Sequence, residues 1–276
     1  MSILNTLQRV LEPLPIRGKG RLAAAVLSRL GEREVQCHPL RGVTVFLQPN
    51  KWIEQLMWAG AYERELVELF KKVLLPGMTV LDLGANIGYF SVLAAGLVGS
   101  SGQVHAFEPE KTCFARLKRN LAVFPWAQAH SMAVGDQSGE AYFHYSHKPS
   151  ETGWGSLLFG EDNACTQEAL VPVTSLDAWA RGRAIRRVDV IKMDVEGGEY
   201  RALRGAEVLL SEHRPVIVAE LNDVCLRRDH RTPLDVVSLL RAAGYNTFSF
   251  NDGVLGIPQD GRNQTPALHN FTGRPL

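Results

Sequence analysis

Val80-Leu81-Asp82-Leu83-Gly84-Ala85-Asn86-Ile87-Gly88-Tyr89-Phe90 decides how this chain folds. A short apolar run reaches a carboxylate, passes a turn punctuated by two glycines and enters a second apolar run. In order, these are a buried strand, a tight turn and the start of a helix. Gly84 and Gly88 can take positive φ, or let a ligand approach where a Cβ would collide. The helix that opens near Gly88 offers unpaired N–H groups at its first turn.

The residues that follow continue the pattern. Ser91 to Val98 is a buried helix stopped by Gly99-Ser100-Ser101-Gly102, and Gln103 to Glu108 is a second strand ending in an acid before Pro109. A carboxylate at the tip of the second strand, roughly 20 residues past the glycine turn, is where α/β folds grip the two hydroxyls of a ribose. Glu108 is that candidate, because one carboxylate can accept both hydroxyl protons. A dinucleotide fingerprint would need glycine at Asn86 and at Tyr89, so that frame fails twice.

The spacing Asp82-x-Gly84-x-x-x-Gly88 instead resembles motif I of class I S-adenosylmethionine methyltransferases. That resemblance implies a ligand with a methionine tail. Asp82 would meet its ammonium, directly or through water, and backbone N–H groups from Asn86 to Gly88 would meet its carboxylate.

A second block is Val188-Asp189-Val190-Ile191-Lys192-Met193-Asp194-Val195-Glu196-Gly197-Gly198-Glu199, followed by Arg214 to Leu221. Together with Leu83 to Phe90, Phe107-Glu108-Pro109, Ala133-Val134-Gly135-Asp136 and Ser175-Leu176-Asp177, it resembles the FkbM family of S-adenosylmethionine-dependent methyltransferases. The resemblance runs from about Leu75 to Leu221; Gly198 departs from it, where the family commonly has alanine. It implies a class I, Rossmann-like, doubly wound and mostly parallel sheet. It also implies S-adenosyl-L-methionine as cofactor and O-methylation of a small acceptor, a sugar or polyketide hydroxyl.

The residues themselves point to a site in the second block. Alternate residues of a strand share a face, so Lys192 and Asp194 point one way, and Glu196 continues the row if the strand persists. Ionisable side chains at the end of an apolar strand are costly unless paired or wet. Glu220 and Asn222 close the next strand in the same manner. Asp194 is the first candidate for general base, with Glu220, His144 or His147 behind it. Lys192 either serves the reaction or simply neutralises Asp194, while Glu196 caps the next helix beside Glu199. A divalent ion held by Asp194 and a neighbouring acid is an alternative activator of the hydroxyl, although no spaced set of metal ligands stands out.

The third strand is expected over His130 to Val134, ending at Gly135-Asp136. There Asp136 would accept from the adenine amino group, unless it is a plain turn aspartate. Between Gly139 and Thr174 the rhythm breaks. Ala141 to Tyr145 and Leu170 to Val173 read as strands flanking a polar loop, Ser146 to Thr166, the candidate acceptor-binding insertion. Pro233 to Ala243 reads as a helix, Asn246 to Phe250 as a strand, and the remainder as a Gly/Pro-rich tail.

Residues 1–74 read as an N-terminal extension and 75–276 as the methyltransferase domain. In the extension, Met1 to Leu11 is a short amphipathic helix and Arg21 to Leu30 another. Val35 to Leu40 and Val43 to Gln48 form a hairpin around Arg41-Gly42. Lys51 to Leu74 is one long helical stretch with Trp52, Leu56, Leu66, Leu69 and Phe70 on its apolar face. Trp58, Tyr62 and Glu63 are positioned either to cover the cofactor or to join the core.

Composition narrows the function classes. Thirty basic residues against 29 acidic ones leave no basic excess, so the electrostatic drive for nucleic-acid binding is missing. Cys37, Cys113, Cys165 and Cys225 lie far apart with no C-x-x-C pair, which reads as free thiols in a reducing compartment. No apolar run is long enough to span a bilayer and no signal-peptide order is visible, so a cytoplasmic enzyme is expected. Two rivals remain: a non-catalytic methyltransferase-fold binding module, and another enzyme class using the same cofactor pocket.

Overall fold

Five consecutive buried residues, Thr79–Leu83 (β3), form the middle of the main sheet. The computed structural model describes residues 7–8, 18–31, 33–146, 155–158, 167–263, 265, 268 and 274–276. The expected helix over Met1 to Leu11 therefore lies outside the described residues, except for Leu7 and Gln8. Of the Ser146 to Thr166 loop, only Ser146 and 155–158 are described, so His147 and Trp154 fall outside as well.

Before β3 come α1 (Lys19–Leu27) with a 3₁₀ turn at Ser28–Leu30, the hairpin β1 (Val35–Leu40) and β2 (Val43–Leu47), α2 (Trp52–Trp58) and α3 (Arg64–Val73). After it the chain alternates: α4 (Tyr89–Val98), β4 (Gln103–Phe107), α5 (Lys111–Leu121), β5 (Ala127–His130). A small sheet then intervenes, made of β6 (Ala133–Val134), β7 (Gly139–Tyr145), β8 (Gly155–Ser156) and β9 (Gln167–Thr174). The main sheet resumes with α6 (Leu176–Gly182), β10 (Val190–Met193), α7 (Glu199–Arg204), β11 (Val216–Glu220), α8 (Asp223–Arg227), α9 (Pro233–Ala242), β12 (Tyr245–Phe250) and β13 (Gly253–Pro258).

The main sheet has the order β12-β13-β11-β10-β3-β4-β5. The five strands β11 to β5 run parallel, and β13 is antiparallel to both of its neighbours. From β3 the chain winds outward through β4 and β5; it then returns to the other side of β3 and winds outward through β10 and β11. The order therefore reverses between β3 and β10, the place where open α/β sheets leave a crevice at their strand tips.

The period of two sorts side chains into two cores. Val80, Val104, Val190, Val216 and Val218 face one cluster, built with α4, α5 and the N-terminal elements. Leu81, Leu83, Ile191, Met193, Ile217 and Ala219 face the other, with α6, α7 and α9. Asn120 pins the first core: its Oδ1 accepts from Phe46 N at 2.9 Å, and its Nδ2 donates to Ile87 O at 2.8 Å. The hairpin is thus tied directly to the glycine turn. Arg116 on α5 grips Glu54 on α2 with two bonds of 2.6 Å, and Glu54 also accepts from Gln48 N.

Four expectations need correction. The Lys51 to Leu74 stretch is two helices, because the chain turns at Gly60 (φ 58°) and Glu63 (φ 39°). Trp52 is half exposed and not on an apolar face, whereas Trp58 is fully enclosed and so belongs to the core. The third strand is Ala127–His130, not His130 to Val134; it is an edge strand, half open to solvent, and carries no apolar run. The tail contains β13, whose glycines permit close packing: a Cβ at Gly253 would stand 1.9 Å from Ala219 O.

Candidate active site

The crevice at the reversal holds a cleft enclosing about 1030 Å³, part of it open to solvent. Its floor is the turn after β3 (Gly84 to Ile87), one end is Glu108, and the other end is Lys192 and Asp194. Tyr62, Tyr89 and Phe90 form an aromatic wall, with Tyr62 edge-on to Tyr89 at 5.6 Å. Phe143, Tyr145, Ser146, Gly155 and Leu157 of the small sheet cover it from the opposite side. Ser156 fastens that sheet by donating to Glu196 O at 2.8 Å.

Glu108 sits just past β4, buried, and accepts from Asn86 N and Glu110 N, each at 2.8 Å. Burial outweighs those two bonds and pushes its carboxyl up to about 7. Asn86 reaches Glu108 by adopting φ 50°, and its own buried Oδ1 has no hydrogen-bond partner among the described residues.

Register explains the other end. Lys192 and Asp82 are cross-strand partners on one face of β10 and β3, and the ammonium lies 3.5 Å from Asp82 and 3.4 Å from Asp194. Burial alone would lower the Lys192 pKa, but Asp194 and Asp82 outweigh it and hold it above its ordinary value. Ser91 on α4 donates to Asp82 at 2.5 Å, while Asp82 Oδ1 is buried without a hydrogen bond. Asp82 stands behind the cleft and does not line it.

Glu196 does not continue the Lys192–Asp194 row. The strand stops at Met193, Glu196 takes φ 51°, and its carboxylate turns to accept from Cys225 Sγ at 3.3 Å. Burial, then Asp194, push Glu196 up to about 7. Glu199 receives the turn's own N–H groups from Val195 and Gly197.

Gly84 and Gly88 are glycine for the protein's own packing. Each has positive φ; a Cβ at Gly88 would come within 2.6 Å of Leu117 Cδ1, and one at Gly84 would strike the main chain of Asp194. Asp136 is exposed and outside the cleft lining, since the strand expected to deliver it ends at His130.

A second, smaller cleft adjoins the first and shares Tyr62, Phe90, Lys192 and Asp194 with it. Glu63, Glu220 and Asp252 line it, and Asn251 Nδ2 donates to Glu63 at 3.4 Å across its edge. Partial burial, with Asp194, Glu196 and Glu63 nearby, pushes Glu220 up to about 8. Among the described residues no three His, Cys, Asp or Glu side chains are grouped to hold a metal ion.

The sequence offers Tyr62 as a cover for the cleft, but not its partners Tyr89 and Phe90, nor the Lys192–Asp82 contact. Tyr89-Phe90 inside the helix start was a usable signal, because two large rings at a strand-turn-helix mouth have few other places to go. The Lys192–Asp82 pair needs the strand order, which no local pattern carries.

A family model described as the methyltransferase FkbM domain matches residues 82–247, more than half of the chain. The chain belongs to the FkbM methyltransferase family. Membership makes it an S-adenosylmethionine-dependent methyltransferase of FkbM type, on the mostly parallel α/β sheet expected of one. The 31-O-demethyl-FK506 methyltransferase FkbM of Streptomyces tacrolimicus is 31% identical over 205 residues, covering 65% of this chain and 76% of its own length. The 2-O-methyltransferase NoeI of Sinorhizobium fredii is 26% identical over 171 residues, covering 58% and 68%. A solved methyltransferase FkbM from Methylobacillus flagellatus aligns at 17% identity with a TM-score of 0.43, over 83% of this chain and 54% of that one, and assigns no roles to residues. No helix among the described residues is long and apolar enough to cross a membrane.

Proposed function

We propose that the enzyme methylates a hydroxyl of a small acceptor, a sugar or polyketide alcohol, with Asp194 as general base. The observation that carries this is the placement of Asp194, which borders both clefts while Glu108 closes the far end of the larger one. The fit to S-adenosylmethionine rests on the size of the larger cleft and on Asn86 Oδ1, a buried oxygen of a lining residue that has no hydrogen bond among the described residues.

Bound S-adenosylmethionine supplies a methyl group on a positively charged sulfonium. Glu108 would accept from the ribose hydroxyls, and Asn86 with the Gly84 to Gly88 turn would take the amino-acid end. Asp82 acts on that end through its charge from behind the cleft. Lys192 holds Asp194 in one position, and Asp194 takes the proton that the acceptor hydroxyl gives up as it becomes an ether. Glu220 faces the acceptor from the smaller cleft. Tyr62, Tyr89 and Phe90 keep water from the reacting groups.

Residues 1–74 are read as the extension that adds Tyr62 to this aromatic wall and 75–276 as the methyltransferase domain. Balanced charge favours a small-molecule acceptor over nucleic acid. Cys37, Cys113 and Cys225, all buried free thiols, favour a cytoplasmic setting.

The test is calorimetric titration with S-adenosylhomocysteine, NAD serving as control. Glu108→Ala should weaken binding by at least about tenfold, roughly 1.4 kcal/mol. Asp194→Asn should bind normally yet transfer no labelled methyl group to a panel of sugar and polyketide alcohols. Normal turnover by Asp194→Asn removes it as the base; wild-type products that are methyl esters or methylamines would remove the hydroxyl acceptor.

A further inference from the structure

On the outer side of the aromatic wall runs a broad groove that encloses about 1740 Å³ and opens to solvent. Tyr62 and Tyr89 belong to both: they line the cofactor cleft on one side and this groove on the other. The charge of the groove is one-sided. His38, Arg41, Arg64 and Lys71 line it against a single acid, Glu68, and Glu68 is already paired with Lys71 at 2.9 Å. Arg41, in the β1–β2 turn, and Arg64, the first residue of α3, are exposed and form no ion pair or hydrogen bond among the described residues.

One further polar atom at this wall has no partner. His38 Nδ1 lies 3.3 Å from Val43 O and 3.2 Å from Thr44 Oγ1, whereas its buried Nε2 has no hydrogen-bond partner among the described residues. Val43 and Thr44 thus hold the imidazole in place, and the charge that would meet an anion comes from the guanidiniums. Arg41 and Arg64 form a surface that costs little in an empty protein and is completed by an anion with several oxygens. Arginine's planar fork suits phosphate oxygens better than a single carboxylate, and two forks suit a diphosphate.

On the reading of function above, we infer that the acceptor carries a phosphate or diphosphate group, which the Arg41–Arg64 groove holds outside the aromatic wall. The hydroxyl to be methylated then lies past Tyr62, toward Asp194. The smaller cleft is lined by the carboxyl groups of Glu63, Glu220 and Asp252, and its cation, Lys192, is already held by Asp82 and Asp194. It offers that anion no comparable hold, so one orientation of the acceptor is favoured.

The experiment uses the full chain saturated with S-adenosylhomocysteine and titrated calorimetrically with inorganic pyrophosphate, inorganic phosphate and uridine diphosphate. Pyrophosphate should bind the wild-type protein, more weakly as salt rises, and Arg41→Ala/Arg64→Ala should weaken it by about tenfold or more. Uridine diphosphate tighter than pyrophosphate identifies a nucleotide-linked acceptor; equal affinities identify a phosphate ester alone. No pyrophosphate binding at millimolar concentration, or equal binding by the double variant, overturns the inference. S-adenosylhomocysteine affinity, measured in the same samples, should be unchanged by the double substitution. If S-adenosylhomocysteine does not bind while pyrophosphate does, the cofactor reading fails and the groove stands.

Discussion

The main-chain oxygen of Asp194 fills the space that a side chain at position 84 would need: a Cβ built on Gly84 falls 1.8 Å from it. The glycine turn and the tip of β10 are therefore locked together by contact, which fixes Asp194 relative to the floor of the cleft. Gly84→Ala must move one of them and also strains a φ of +73°. Denaturant unfolding should show a loss of roughly 3 kcal/mol or more, among the large effects for a point change.

Glu108 should make cofactor binding depend on pH. Its carboxyl is held near 7, and only the ionised form can accept from two hydroxyls while keeping its bonds from Asn86 N and Glu110 N. Affinity for S-adenosylhomocysteine should rise as pH increases through about 7. Glu108→Gln should bind more weakly and lose that slope, and a slope kept by the variant would assign it to another group.

Lys192 separates two carboxylates, and its removal leaves both without that counter-ion, Asp82 in a buried place and Asp194 half-buried at the cleft. Lys192→Met should be strongly destabilising, on the order of 3 kcal/mol. Asp82→Asn in the same chain should recover part of the loss, with a coupling above about 1 kcal/mol in a double-mutant cycle.

Arg116→Leu strips both of its bonds from Glu54, a carboxylate only 4% exposed. Unfolding free energy should fall by roughly 3 kcal/mol. Glu54→Gln/Arg116→Leu should be more stable than Arg116→Leu alone, because the buried carboxylate charge is gone and only the weaker Lys51 contact at 3.9 Å is lost with it.

His105 and His130 form a buried pair, Nδ1 to Nε2 at 3.3 Å, against Trp179. Burial lowers both to about 4; Arg183 adds to it at His105, and His105 and then Arg183 add to it at His130. Their folded values lie below the unfolded value near 6.5, so the stability they confer is full above that pH and is lost as pH falls toward 4. Urea midpoints should drop across this window, and His130→Gln should flatten the decline.

Much of the site was readable because it is local. Asp82, Gly84, Gly88 and Glu108 sit on one strand-turn-helix-strand unit, where period and turn chemistry fix positions without knowledge of the rest. The two glycines take the positive φ expected of them, and each also makes room for a neighbour that the sequence does not announce, Asp194 or Leu117. The third strand's bounds shift because β5, an edge strand with Ala127 and Gln128 in place of an apolar run, gives no signal of its own. Asp136 stands exposed, as in its alternative reading as a turn aspartate. The break at Gly60 is a single glycine in an otherwise helical pattern, and sequence does not say whether such a residue bends a helix or ends it. The aromatic wall depends on how α3, α4 and the hairpin meet, a long-range packing that no spacing records.

The two cores of the sheet set a limit on modularity. The matched family segment begins at Asp82, within β3, yet Leu27, Val45, Leu47, Trp58, Leu69 and Phe70 all lie upstream and cover one face of the sheet. Transplanting residues 82–247 behind a different leader would carry the recognisable motifs with α4 and α5, but would strip those six residues from the core that Val104, Val190 and Val218 share. The inherited signature is thus shorter than the piece of chain that can hold itself together, and recombination would have to respect the longer of the two.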